Sequence, residues 1–353
     1  MPPETTGASA RTWQRIRTGQ ASPAPRLIRE TVIDVIRSFF KSRGFHEVET
    51  PLFVRSPGME PYLEVFATTW RTARGESHPG FLTTSPEYAM KKLLSAGLGP
   101  IFQVCKSFRN GEEVSQRHNP EFTILEWYRP ESDYQDLMDD CEELFRAAAR
   151  EIDPEYRGTW RYQGQAVDLG SPWERLTVAE AFQRYSEVDL ERGQDALVDA
   201  ARARGYTVTD DTTWEQAFHQ ILLNEIEPKL GRERPTILFE YPIELAALAR
   251  PSPRDGRYAE RFELYVAGIE MANAFGELTD PDEQLRRLLA EQHERQALGK
   301  TAYALDEDFI DALKAGLPRC AGIALGVDRL AMFFADVASI REVLWFPADE
   351  LFQ

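Results

Sequence analysis

The chain has 353 residues, 42% of them hydrophobic and 28% charged, with a formal net charge of −17. That length buries a sizeable core, and the acidity speaks against a protein that wraps nucleic acid by its phosphate backbone. Three widely spaced cysteines (Cys105, Cys141, Cys320) make neither a disulfide framework nor a zinc pattern, the five histidines lack metal-ligand spacing, and no apolar run suits a membrane span. These features predict a cytoplasmic protein with no membrane anchor.

Taken in order, residues 1–25 are rich in Pro, Ser, Thr and Ala and predict a flexible arm, leaving 26–353 as the folded domain. Leu27, Ile28, Val32, Val35, Ile36, Phe39 and Phe40 recur at helical spacing, Gly44 is a stop signal, and a short strand is expected over 45–51. Further strands are expected at 63–70 and 81–84. Ser85-Pro86-Glu87 has the chemistry of a helix start, with Ser85 as cap. A strand over 101–109 leads into a polar loop and a second strand. A helix follows, with Leu137, Met138, Cys141, Leu144, Phe145 and Ala148 on its buried side.

Residues 153–232 are acidic and mostly helical in pattern, with a hairpin turn near Gln163-Gly164, and are expected to form a helical insertion. Strand patterns return at 236–241 and 258–278. Asp280, with Glu283 three residues on, has capping-box spacing for a long helix ending near Gly299. A glycine-rich turn, a helix over 327–336 and a last strand over 340–346 complete the chain. Adjacent strand pairs with few strand–helix–strand crossovers predict an α+β fold, an antiparallel sheet flanked by helices.

Three constellations carry chemistry. Arg109 opens a hairpin whose second strand places Phe122, Ile124, Glu126 and Tyr128 on one face by parity. A carboxylate and a phenol on an apolar face suit a cationic amine, and the arginine suits a carboxylate or phosphate. Glu263 and Glu270 flank a turn at Val266-Ala267-Gly268; like charges opposed across a hairpin need a cation between them, and Mg2+ beside phosphates is a common one. Asn273, Phe275 and Glu277 share a face, but strict alternation puts Glu270 on the other, so a bulge must lie between Glu270 and Asn273 for all to line one site. Gly322-Ile-Ala324-Leu-Gly326-Val-Asp-Arg329 reads as a strand-to-helix turn with an arginine in the first helical turn. Taken singly, each has a plainer reading: a core hairpin with one satisfied glutamate, two edge glutamates, a helix-packing glycine run.

Together these elements resemble the signature motifs of class II aminoacyl-tRNA synthetases, and within them the lysyl enzymes. Residues 27–51 are similar to motif 1, Phe108-Arg109 through His118-Asn119-Pro120-Glu121-Phe122 to motif 2, and 322–329 to motif 3. Thr84-Ser85-Pro86-Glu87-Tyr88 and Asn273-Ala-Phe-Gly-Glu277-Leu-Thr-Asp280 also resemble lysyl-specific segments. Motif 1 begins near residue 27, which leaves no room before it for an anticodon-binding barrel. The chain therefore resembles the short paralogues that attach β-lysine to elongation factor P. The run Glu126-Trp127-Tyr128-Arg129-Pro130 and Ala324, where lysyl enzymes carry glycine, agree with that branch.

The resemblance implies a catalytic core without an anticodon-binding domain, a homodimer built on motif 1, and ATP with Mg2+. It implies (R)-β-lysine or lysine as the amino acid and elongation factor P rather than tRNA as acceptor. By the same resemblance Arg109 and Arg329 are catalytic. Ser85, Glu87, Glu126, Tyr128, Asn273, Glu277 and Ala324 bind the amino acid. Arg109, Glu112, Asn119, Phe122, Glu270, Met271, Gly326 and Arg329 bind ATP, and Glu263 and Glu270 hold the metal. The chain departs from the family by one extra residue in the motif 2 loop, by Gly276 in place of serine or histidine, and by lacking a serine-rich stretch over 245–254. Two other readings stay open: a core-only ligase for another acceptor such as RNA, and a non-catalytic regulator.

Overall fold

The computed structural model describes residues 10–111 and 114–352. Its frame is an eight-stranded sheet of His46–Glu47 (β1), Ile101–Phe108 (β2), Glu121–Pro130 (β3), Glu174–Thr177 (β4), Thr236–Pro242 (β5), Tyr258–Val266 (β6), Ile269–Gly276 (β7) and Cys320–Gly326 (β8). The spatial order is β1-β2-β3-β8-β7-β6-β5-β4. The two outermost pairings, β1 with β2 and β4 with β5, are parallel. All the inner pairings are antiparallel. The expected α+β fold is what forms.

Antiparallel strands can bury one face and leave the other for a different task. Here Leu125 and Trp127 of β3, Phe262 and Leu264 of β6 and Ile323 and Leu325 of β8 join the largest core cluster. Helices Ala24–Ser42, Tyr134–Ile152 and Val327–Phe334 cover this face. The first turns Val32, Val35, Ile36, Phe39 and Phe40 inward at the spacing seen in the sequence. Phe40 lies 5.0 Å from Trp127 and 5.1 Å from Phe102, ring centre to ring centre. Truncating so buried an aromatic to alanine costs about 3–5 kcal/mol. The opposite face, with Glu126, Tyr128 and Asn273, carries the cavity.

Three expectations need correction. The described part of the 1–25 arm is docked rather than loose: Thr12–Arg17 is helical, and the Thr12 amide and hydroxyl both donate to the Glu350 carboxylate at 2.7 Å. The expected last strand over 340–346 is instead a short 3-10 turn, Ile340–Glu342. Ile340, Val343 and Leu344 recur at three and four residues rather than alternating, and they pack with Met332 and Val337 in a small cluster. The 153–232 segment keeps its expected helices and hairpin but also gives the main sheet an edge strand that was not expected. Gln163 and Gly164, both at positive φ, turn a hairpin of Thr159–Tyr162 and Gln165–Asp168, and β4 extends the main sheet. Its helices, Val178–Ser186, Gln194–Ala203 and Trp214–Ile221, share a core with Leu238, Tyr241 and Tyr265 of the sheet.

Candidate active site

A cavity of about 550 Å³ opens on the exposed face of β3, β8 and β7. Its wall includes Arg109, Phe122, Ile124, Glu126 and Tyr128, which confirms the single face read from parity. Ser85, Glu87, Asn273, Glu277, Ala324 and Arg329 line the same cavity.

At one end the carboxylates gather. Glu126 is 1% exposed; its Oε1 accepts from Ser85 Oγ at 2.6 Å and its Oε2 from the Tyr128 hydroxyl at 2.9 Å. Burial, then the neighbouring Glu87, pushes the Glu126 carboxyl up to about 8. Ser85 also accepts the Glu87 amide at 3.0 Å, so the expected cap residue holds both the start of helix Glu87–Ser95 and the acid beside it. Ala324 pairs across the sheet with Glu126 on one side and Asn273 on the other. Gly322 sets the floor: a Cβ there would stand 2.2 Å from the Tyr128 ring and 2.3 Å from Glu277 Oε1.

The residue that sequence reasoning missed is Lys91. Its ammonium lies 2.5 Å from Glu87 Oε1 and 2.6 Å from Glu277 Oε2, with the side chain 1% exposed. The signal was available, because Lys91 follows Glu87 by four residues on one helix face. Burial pushes Glu277 up to about 7, with Lys91 pulling the other way.

At the other end the bulge required for a shared site is present. Leu264 stands opposite Ala272 and Tyr265 opposite Glu270, so Met271 is the extra residue. Met271 and Ala272 both join the core, while Glu270 and Asn273 reach the cavity. Arg329 Nη1 donates to the Glu270 carbonyl at 2.8 Å and approaches its Oε2 at 3.3 Å. Burial and Glu263 raise the Glu270 pKa, and Arg329 and Arg109 both oppose this, so the two arginines converge on one acid. The Arg109 guanidinium lies 5.2 Å from the centre of the Phe122 ring.

Glu263 is placed less openly. Its Oε1 accepts from Arg261 at 2.6 Å and its Oε2 from the Tyr265 hydroxyl at 2.6 Å, and it stands behind the cavity wall. Among the described residues no group of three or more His, Cys, Asp or Glu side chains suits a metal. Two acids on one sheet face nonetheless fit Mg2+, which takes its remaining ligands from phosphates and water. Asn119 lines the cavity, but its amide is engaged by main chain, donating to Glu121 O at 2.6 Å and accepting from Ala348 N at 3.0 Å. Gly326 ends β8, and a Cβ there would meet only the Arg329 side chain at ordinary contact distance. Glu112 lies outside the described residues. The departure at Gly276 has a steric cause: a Cβ would fall 2.2 Å from Glu260 Oε2, whose carboxylate pairs with Arg250 at 2.5 Å.

Comparison with known proteins agrees with this geometry. The family model of class II tRNA synthetases (D, K and N) matches residues 13–350. The chain belongs to this family. Within it, the chain is 39% identical over 343 residues to an elongation factor P--(R)-beta-lysine ligase of Salmonella paratyphi A, covering 96% of this chain and 98% of that protein. It is 40% identical over 346 residues to the protein of that name from Salmonella heidelberg, at the same coverage. The matched span takes in Arg109, Glu126, Tyr128 and Arg329.

Proposed function

We propose that this chain is an AMP-forming ligase that activates (R)-β-lysine or lysine with ATP and transfers it to a lysine side chain of elongation factor P. The observation that carries the reading is the arrangement at Glu126: a buried carboxylate, flanked by Ser85 and Tyr128, shares one cavity with Arg109 and Arg329. The names of the relatives at 39–40% identity point to the acceptor.

In the first step the amino-acid carboxylate oxygen attacks the α-phosphorus of ATP, the bond to the β-phosphate oxygen breaks, and pyrophosphate leaves. Arg109 draws the two anions together, Phe122 offers a face for adenine, and Arg329 holds the departing phosphates. Met271 and Gly326 contribute backbone beside the nucleotide, and Asn119 shapes its loop. Glu263 and Glu270 would hold Mg2+, which supplies charge neutralisation on the phosphates. Ser85, Glu87, Glu126, Tyr128, Asn273 and Glu277 orient the amino acid, and Ala324 narrows the space beside Glu126. In the second step the acceptor amine attacks the acyl carbon, an amide forms, and AMP leaves as the nitrogen loses a proton. No covalent enzyme intermediate is needed; positioning and electrostatics do the catalysis. We further propose a cytoplasmic homodimer joined through the 27–51 motif.

Incubation with ATP and labelled (R)-β-lysine or lysine, with and without elongation factor P, tests the reading. Label on the factor is expected. Amino-acid-dependent ATP–pyrophosphate exchange without label on the factor would refute the acceptor, and no exchange at all would refute the enzyme.

A further inference from the structure

Lys91 is a buried cation set between two of the acids that face the amino acid, and it does not itself reach the cavity wall. It takes one oxygen of Glu87 and one of Glu277. Among the described residues Glu277 Oε1 then has no hydrogen-bond partner of its own, and it lies against the Gly322 floor. Burial works against the Lys91 charge, but Glu277 and Glu87 more than reverse it, so the residue stays an ammonium.

Charge counting gives this placement a consequence. Glu87, Glu126 and Glu277 make three negative charges when ionised, and Lys91 cancels one. Two remain, the number of ammonium groups on a diamino acid. Glu60 and Glu291 also line the cavity, but neither contacts Lys91 or Ser85; burial raises both as it raises Glu126, so the count is of the acids grouped around Lys91 and Ser85. A buried charge without a counter-charge is strongly disfavoured, so a pocket with two surplus acids rejects an amino acid carrying one amine.

Building on the lysine-activating reading above, we propose that Lys91 is a positioning residue that selects diamino acids, by cancelling one of three pocket carboxylates and aiming the free oxygens of Glu87 and Glu277 at the substrate. It acts through those acids and touches neither ATP nor the reacting carboxylate.

The test is a double-substitution cycle of Lys91→Met with Glu277→Gln, read as KM for lysine and for ATP in pyrophosphate exchange, with thermal melts of each protein. In the wild-type background Lys91→Met leaves a surplus buried acid, and the KM for lysine is expected to rise at least tenfold with the KM for ATP within twofold. In the Glu277→Gln background the pocket holds one charge too few, and removing Lys91 restores two, so the same change is expected to lower the KM for lysine at least threefold. This reversal of sign is not expected of a lysine that only holds the fold together, which would make matters worse in both backgrounds. A raised or unchanged lysine KM on removing Lys91 from the Glu277→Gln protein overturns the proposal. That comparison decides alone if Lys91→Met does not fold, because the double variant removes one acid together with the cation and leaves Glu87 alone without its partner. Failure of the wild-type chain to exchange with any diamino acid would instead refute the reading of the site, and this inference with it.

Discussion

Arg329 grips Glu270 twice, donating to its main-chain carbonyl at 2.8 Å and approaching its carboxylate at 3.3 Å. The helix that carries Arg329 is thereby tied to the strand that carries Glu270. On the proposed reading, removing Arg329 takes away both a phosphate clamp and a neighbour that opposes the rise in the Glu270 pKa. Arg329→Ala is expected to lower kcat/KM for ATP by roughly 10²–10³, the scale of a lost transition-state donor. Arg329→Lys should recover little, since a point charge does not reproduce the planar fork. Pyrophosphate exchange at varied ATP measures both; a loss below tenfold would contradict the assignment.

Deleting Met271 tests the bulge. The deletion leaves Glu270 two positions from Asn273, so strict alternation alone then holds both on the cavity face, while the core loses the Met271 side chain. The expected result is a less stable protein that keeps measurable exchange activity, whereas Met271→Leu keeps both properties near wild type. Complete loss of activity in a deletion protein that still folds would show that the shared face of Glu270 and Asn273 does not set the site.

Gly322→Ala should separate the two substrates. The added methyl would collide with Tyr128 and Glu277 on the amino-acid side of the cavity. The KM for lysine is expected to rise at least tenfold while the KM for ATP changes less than threefold. Equal effects on both would mean that the methyl disturbs the sheet rather than the pocket.

Stability should depend on pH in a set direction. Burial is the first cause lifting Glu126 and Glu291 to about 8 and Glu277 and Glu227 to about 7, from a usual value of 4.5. The unfolded chain releases these protons near the usual value, and the folded chain keeps them to higher pH. Between the two the native state binds more protons, so stability falls as pH rises from about 5 to 8. The melting temperature of the ligand-free protein is expected to drop from pH 6 to pH 8.5, and saturating lysine with Mg2+ and ATP should flatten that drop. A melting temperature that rises over this range would contradict the burial of these acids.

Much of the site was legible in the chain because its chemistry is local. The face shared by Phe122, Ile124, Glu126 and Tyr128 follows from the period of a strand, and the structure keeps it. The bulge followed from logic rather than pattern: Glu270 and Asn273 share a site only if one residue is extra, and Met271 is that residue. Asp280 caps its helix as spaced, accepting from the Asp282 and Glu283 amides, although Glu283 turns to Arg286 and Arg287 instead of closing the box.

What stayed hidden depends on partners distant in sequence. Lys91 is ordinary on its own helix and becomes informative only when Glu277, 186 residues later and just past the end of β7, arrives beside it. Both oxygens of Glu263 are occupied by Arg261 and Tyr265, which alternation places on its face but cannot connect to it. The apolar run 340–346 reads as a strand until the packing of Ile340, Val343 and Leu344 against Met332 shows the spacing of a turn.

The central claim is tested most directly by a crystal structure of the chain with Mg2+ and a non-hydrolysable lysyl-adenylate analogue. The account predicts the phosphate mimic against Arg109, the adenine on Phe122, and one ammonium group within hydrogen-bond distance of Glu126. An analogue bound outside this cavity, or with both ammonium groups remote from Glu126, Glu87 and Glu277, would contradict it.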